Sequence, residues 1–341
     1  MKTGNVNLSF LALSAAGLLF GGYFAFQEWF VGPTFVANDG LVWTLPLVTY
    51  VFLALASSGV SILMAAGELF DNEPLKTHKA LLVNTALSLL IGAFAALATE
   101  LGSLMNVVWL IFSPNFSSPI WWMGTLYAIE LVLLAMKFYS LQTNHRLSFD
   151  HWLTVTTLCL AIATPLILGS VFGTIVGRAG YYGVNASIFT LLCALASAVS
   201  LTPLLFKPDK QANITRLGRF ALAALAVLLV VNYLYLTRSS IPSLQPWAAL
   251  WMPILLLFAF IAYHAKPALS AIIALPTLLI TELAFIIQGQ VQVLGPKQTW
   301  LGAVQSYQPN LAELGILAFG CSIAYLCFVA LGQLSAKPSE E

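Results

Sequence analysis

Several glutamates fall within or at the ends of long apolar stretches, where an acidic side chain is costly. Glu130 lies in the middle of one stretch and Glu282 within another, while Glu100 and Glu313 lie at the ends of two more. A charge at the centre of a bilayer costs about 2.5 kcal/mol or more, so acids there usually mark a path for ions, protons or a substrate. Glu100 equally fits an interfacial position, and Glu313 fits the first turn of a helix.

A second pattern suggests a polar route through the same region. Glu130 and Lys137 are seven residues apart, which places them on one helix face and about 10 Å apart along the axis. Glu68, at the end of an earlier apolar stretch, extends this line. We predict that Glu130, Lys137 and Glu68 form a proton path. The alternative is that Glu130 and Glu282 are structural acids, either protonated or held by hydrogen bonds.

Histidine and cysteine positions do not indicate a metal centre. The four histidines, His78, His145, His151 and His264, lie at or beyond the ends of apolar stretches, so a pair of axial haem ligands is not expected. None of the four cysteines stands in a CxxC or ferredoxin-like spacing. We therefore expect no haem, no iron–sulfur cluster and no other metal in this chain.

The apolar stretches that must position these residues dominate the chain. Of 341 residues, 60% are hydrophobic and 8% are charged, against roughly 25% charged in soluble domains. A net charge of +1 offers no basic surface for nucleic acid. Because a bilayer core of about 30 Å needs roughly 20 apolar residues in a helix, we predict an all-α transmembrane bundle of about ten spans. The predicted spans are 8–28, 41–69, 79–101, 119–140, 151–175, 183–206, 217–237, 247–265, 267–289 and 310–334.

Ten spans put both termini on the same side of the membrane, and the cations indicate which side. Only Arg178, Arg238 and Lys297 of the 14 Lys and Arg residues fall on the opposite side. By the positive-inside rule both termini are then cytoplasmic. The outward loops are predicted near 29–40, 102–118, 177–182, 238–246 and 290–309. The whole chain, 1–341, is predicted to be one integral membrane domain with an extra N-terminal span at 8–28 and a short cytoplasmic tail at 335–341.

Residues 113–124, SPNFSSPIWWMG, resemble the N-P-x-S-P-[MI]-x-W-G stretch of the NrfD / polysulfide reductase membrane-subunit family. Four weaker similarities follow the family's order: WTLPLVTYVFL at 43–53, ELG at 100–102, LGSVFG at 168–173 and YQPNLAE at 307–313. The similar region covers about 41–330. Three positions depart from the family pattern. Thr164 replaces a frequent His or Tyr, no Arg follows Gly102, and Glu282 stands where a basic residue sometimes occurs.

The resemblance implies a haem-free, quinone-binding anchor of a respiratory complex in the bacterial cytoplasmic (inner) membrane. It implies menaquinone or ubiquinone as cofactor and a periplasmic iron–sulfur ferredoxin-like subunit or multihaem cytochrome c as electron-transfer partner. A separate catalytic subunit would convert the terminal substrate, so this chain would perform no terminal-substrate catalysis. The residues expected at the quinone are Tyr50, Glu100, Thr164, Glu282, Trp43, Trp121 and Gln290. The tryptophans also fit an interfacial aromatic belt.

Two alternative functions remain open. A secondary transporter or proton-conducting channel would use Glu130 and Glu282 as its intramembrane acids. Transporters usually contain inverted repeats with matching broken helices, and no internal repeat is evident in this sequence. The other alternative is a membrane anchor whose quinone site has been lost.

Overall fold

The computed structural model describes residues 8–102, 105–143, 149–178, 181, 183–206, 213–238 and 246–334. These ranges contain no β-strand, only an isolated antiparallel bridge between Gln292 and Val304, so the predicted all-α class is confirmed. Several residues used to predict topology or metal content lie outside the described residues: Lys2, His145, Arg146, Lys207, Lys210, Lys337 and the tail 335–341.

Long helices separated by short loops make up the described chain. Two of the predicted outward loops contain short helices, α5 and α12. The helices are α1 (Leu8–Phe30), α2 (Leu45–Leu69), α3 (Glu73–Thr77), α4 (Lys79–Glu100), α5 (Met105–Phe112), α6 (Pro119–Gln142), α7 (Asp150–Gly173), α8 (Gly183–Leu205), α9 (Asn213–Arg238), α10 (Pro246–Ala265), α11 (Pro267–Val291), α12 (Gln298–Leu301) and α13 (Leu311–Leu334).

Nine helices in the described ranges are long and apolar enough to cross a membrane. They coincide with nine of the ten predicted spans. The remaining predicted span, 247–265, corresponds to α10, a helix of 20 residues that contains the apolar segment Trp251–Tyr263. The chain thus has the architecture of a multi-pass helical membrane protein.

Helix α2 is the centre of the bundle and carries several candidate residues. It packs against α4, α7, α8, α11 and α13, and 89% of the residues in its apolar stretch are buried. Gly59 permits the close approach to α8, since a Cβ there would lie 1.9 Å from the carbonyl oxygen of Ala194. Small residues allow helix backbones to approach in membranes. The extra N-terminal helix α1 is peripheral, because it packs mainly on α13 and only 11% of the residues in its apolar stretch are buried.

Candidate functional site

Glu130 lies at the centre of a buried polar group between three helices. It belongs to a stripe of buried residues, spaced three and four apart, on α6. Its side chain is fully buried, and its Oε2 accepts hydrogen bonds from Ser58 of α2 at 3.0 Å and Thr164 of α7 at 2.9 Å. Its Oε1 forms no well-aligned hydrogen bond with any described residue. Three helices therefore fix one carboxyl group and leave its second oxygen without a well-aligned hydrogen bond.

Two tyrosines extend this group. Tyr127 precedes Glu130 by one turn on α6, and Tyr50 precedes Ser58 by two turns on α2. The tyrosine rings are fully buried with centroids 6.0 Å apart, and neither hydroxyl forms a well-aligned hydrogen bond within the described part of the chain. A carboxyl and two phenols with spare hydrogen-bonding capacity can relay a proton. We refer to Tyr50, Ser58, Tyr127, Glu130 and Thr164 as the Glu130 group.

A compact ion cluster lies two turns further along α6. The side chain of Lys137 has no exposed surface, and its Nζ is 3.2 Å from Glu68 Oε2 and 2.8 Å from Asp150 Oδ1. The same Nζ donates to the hydroxyl of Thr154. Lys79 Nζ lies 2.8 Å from Glu68 Oε1 and 3.8 Å from Asp150 Oδ2. Two cations and two anions thus compensate one another as buried charges require. We refer to these five residues as the Lys137 cluster.

The three residues of the predicted proton path do not form one continuous chain of contacts. Lys137 and Glu68 are in contact, whereas Lys137 and Glu130 remain about 10 Å apart along α6. Ser61 of α2 lies between Ser58 and Glu68 in sequence and is fully buried, and its hydroxyl forms no well-aligned hydrogen bond with a described residue. Proton transfer between the two groups therefore requires a bridging molecule such as water.

Glu100 and Gln290 hold the start of α2. Glu100 Oε1 accepts a hydrogen bond from the amide of Leu47 at 2.9 Å, near the positive end of the helix dipole. Gln290 Oε1 accepts from the amides of Val42 and Trp43 at 2.8 and 2.9 Å, and its Nε2 donates to the carbonyl of Trp43 at 2.9 Å. The structure therefore gives both predicted quinone-site residues a role in positioning the backbone.

A third contact supports the same helix end. Glu313 lies in the first turn of α13, as predicted, and its Oε2 accepts from the hydroxyl of Tyr307 at 2.8 Å. That hydroxyl in turn accepts from the amide of Leu45 at 2.9 Å. Burial, together with the hydrogen bond to Glu313, raises the pKa of Tyr307 above its ordinary value. Tyr307 therefore stays neutral and keeps donating to Glu313 at physiological pH.

Glu282 lies on α11, outside the Glu130 group. It is 1% exposed, and neither carboxyl oxygen forms a well-aligned hydrogen bond with a described residue. A buried polar group without a partner is costly, so Glu282 is a second candidate for function rather than for structural support.

The two predicted tryptophans belong to different aromatic clusters. Trp43 contacts Phe172 of α7 with ring centroids 5.3 Å apart and lies 6.3 Å from Tyr181. Trp121 contacts Phe116 at 5.0 Å, at the start of α6. None of the described ring pairs joins Trp43 to Trp121, so these ring contacts do not place the two tryptophans in one slot.

Five residues of these groups were not singled out from the sequence: Ser58, Tyr127, Lys79, Asp150 and Thr154. Tyr127 carries a recognisable signal, since it lies three residues before Glu130 and therefore on the same helix face. Ser58 is one of several small polar residues on α2, and nothing in its spacing distinguishes it. Lys79 and Asp150 stand at helix starts, where a charged residue is ordinarily expected at the membrane surface. Only the packing of the helix ends reveals that they surround Lys137.

Comparison with known proteins adds no assignment. No family model matches the sequence, and no curated protein matches it. Within the residues that the structure describes, no group of three or more His, Cys, Asp or Glu side chains is arranged to hold a metal ion. Membership of the NrfD family and the absence of haem and iron–sulfur clusters therefore stay predictions.

Proposed function

We propose that this chain is the quinone-binding membrane subunit of a respiratory oxidoreductase complex and belongs to the NrfD / polysulfide reductase membrane-subunit family. It exchanges electrons between membrane quinone and a periplasmic iron–sulfur or multihaem cytochrome c subunit, and a separate subunit converts the terminal substrate. The chain crosses the bacterial inner membrane about ten times with both termini in the cytoplasm. The ordered motif similarities and the cation asymmetry support this assignment.

The observation that carries the proposal is the pair of buried titratable groups shared by α2, α6 and α7. Quinone chemistry couples electron transfer to proton transfer, so a quinone site in a membrane needs a proton route. The Glu130 group supplies a carboxyl and two phenols in the bundle interior. The Lys137 cluster lies at the ends of α2 and α6 and the starts of α4 and α7, which the charge asymmetry predicts to face the cytoplasm. Together they suit a route that delivers protons from, or releases them to, that side.

A proton-conducting channel or secondary transporter is the second candidate. It is favoured by the unpaired carboxyl oxygens of Glu130 and Glu282, because intramembrane acids commonly mark ion and proton paths. In this case the buried groups would conduct protons without any redox partner. The two functions therefore differ in whether proton movement requires quinone turnover.

The substitution Glu130→Gln tests the proposal because it preserves the shape and hydrogen bonding of the side chain but removes its titration. In the assembled complex we expect quinol-linked turnover to fall by about 100-fold, the lower end of the range for loss of a proton-transfer group. Activity with an artificial dye, which bypasses the membrane subunit, should be unchanged. The matched control is Glu73→Gln, an exposed acid in the first turn of α3.

Unchanged quinol-linked turnover in Glu130→Gln would remove Glu130 from the proton route. A separate measurement decides between the two functions. Proteoliposomes that contain the isolated wild-type chain should show no proton flux beyond that of empty vesicles. A flux that Glu130→Gln abolishes would establish the channel in place of the quinone subunit.

A further inference from the structure

A cavity of about 150 Å³ lies between α8, α9 and α11, apart from the Glu130 group. Asn185 and Phe189 of α8, Asn232 and Tyr235 of α9, and Phe285 of α11 are among its lining residues. None of the residues that line it carries a charge. The cavity therefore suits a neutral molecule with both apolar and hydrogen-bonding parts.

The aromatic side chains that line the cavity favour a ligand with a flat ring. Phe189 and Phe285 pack with centroids 4.6 Å apart and planes 33° apart, so they present a broad aromatic surface. Tyr181, which does not line the cavity, packs against Phe285 with ring centroids 5.7 Å apart. Its hydroxyl donates to the carbonyl of Ile286 at 2.7 Å, which fixes the ring in place. A wall held in this way is preorganised for ring packing.

Asn232 is one of the polar residues that line the cavity. Its Oδ1 is buried and forms no well-aligned hydrogen bond with any described residue. A carboxamide has one acceptor oxygen and two donor hydrogens, so it can accept from a quinol hydroxyl or donate to a quinone carbonyl. Asn185 is exposed beside the cavity and offers a second carboxamide.

Volume and access restrict the ligand further. A cavity of about 150 Å³ holds a single six-membered ring such as benzene. Val231, which also lines the cavity, is 56% exposed on a helix that has the length and composition of a membrane span. An isoprenoid tail can therefore leave the cavity across Val231 into lipid, while the ring remains between the helices.

We propose that this cavity binds the ring of a single-ring quinone, with Asn232 bonded to a ring oxygen and the ring packed against Phe189 and Phe285. The inference rests on the proposed quinone function and adds the location of the ring and a preference for one ring over two. It also separates the quinone from the Glu130 group, which handles protons only. Glu282, one turn before Phe285 on α11, is the closest buried acid to this wall along that helix.

The test uses the full-length chain in nanodiscs and a short-chain azidobenzoquinone as photoaffinity probe. Asn232→Leu removes the carboxamide, and Leu228→Phe fills the cavity from the same helix. Val227→Phe is the matched control, because Val227 is 62% exposed and is not among the lining residues. Thermal unfolding of each variant checks that the bundle is intact.

We expect labelled peptides from α8, α9 or α11, competed by unlabelled single-ring quinone. The Kd should rise about tenfold in Asn232→Leu, as loss of a buried hydrogen bond predicts, and at least as much in Leu228→Phe. Val227→Phe should bind normally. Competed labelling confined to α2, α6 and α7, or normal binding by Asn232→Leu, overturns the cavity assignment but leaves the quinone function standing. Stronger competition by a two-ring naphthoquinone overturns the ring preference, and an absence of competed labelling overturns both the site and the function.

Discussion

Replacing Lys137 by Met gives the most direct test of the buried ion cluster. Lys137 is fully buried, and its ammonium group contacts both Glu68 and Asp150. Met retains most of the apolar stem but removes the charge. Lys79→Met is the natural comparison, because Lys79 contacts the same two carboxylates while its side chain is 18% exposed.

The structure sets the size of the expected effect. Removing one partner of a buried ion pair costs about 3–5 kcal/mol when it leaves a buried charge uncompensated, but the side chains of Glu68 and Asp150 are 20% and 26% exposed. After Lys137→Met, Glu68 keeps Lys79 at 2.8 Å, whereas Asp150 has only Lys79 at 3.8 Å. We therefore expect the lower value, about 3 kcal/mol. After Lys79→Met both carboxylates keep Lys137, so a cost of about 1 kcal/mol is expected, as for a partly exposed pair. The difference of about 2 kcal/mol corresponds to about a 30-fold difference in the unfolding equilibrium.

The free energy of unfolding can be measured by reversible SDS unfolding in mixed micelles, followed by tryptophan fluorescence. Adding Asp150→Asn to Lys137→Met leaves one anion, Glu68, opposite one cation, Lys79. The double variant should regain about 1 kcal/mol over Lys137→Met alone. Equal costs for the two lysine substitutions, or a further loss in the double variant, would refute the reasoning that charge balance within the cluster governs its stability.

Two further substitutions test how α2 is held. Gly59→Ala should destabilise the bundle by about 1–3 kcal/mol in the same assay, because its Cβ would overlap the α8 backbone. Gly22→Ala in α1 should be tolerated, since its Cβ would meet only one ring atom at 3.8 Å. Gln290→Leu should cost about 3 kcal/mol and speed proteolysis between residues 31 and 44, because it leaves two backbone amides and one carbonyl without partners. Stability equal to wild type in either Gly59→Ala or Gln290→Leu would contradict these contacts.

Helix positions and some side-chain pairs follow from sequence periodicity, whereas contacts between helix ends do not. The apolar runs predicted ten spans, and nine of them coincide with described helices of spanning length, since hydrophobic length is a local property. The sequence placed Lys137 and Glu68 on one predicted proton path, but it did not predict that their side chains are in contact. The sequence did not indicate that Lys79 and Asp150 contact Lys137, because both residues begin helices, where charged side chains are common. Their approach to Lys137 depends on how α4 and α7 pack against α2 and α6, which spacing along one helix cannot determine.

Glu100 and Glu130 show why residue type and depth alone do not identify function. In the sequence both are acids of apolar stretches, and both were assigned to chemistry. In the structure Glu100 accepts from the amide of Leu47 at the start of α2, where the helix dipole already favours a negative charge. Glu130 has two hydroxyl donors on one oxygen and none on the other, deep between three helices. Each carboxyl group has described hydrogen bonds on one oxygen only, but Glu130 alone belongs to a fully buried group with two tyrosines. For this reason Glu130, and not Glu100, is the residue whose titration the proposed function requires.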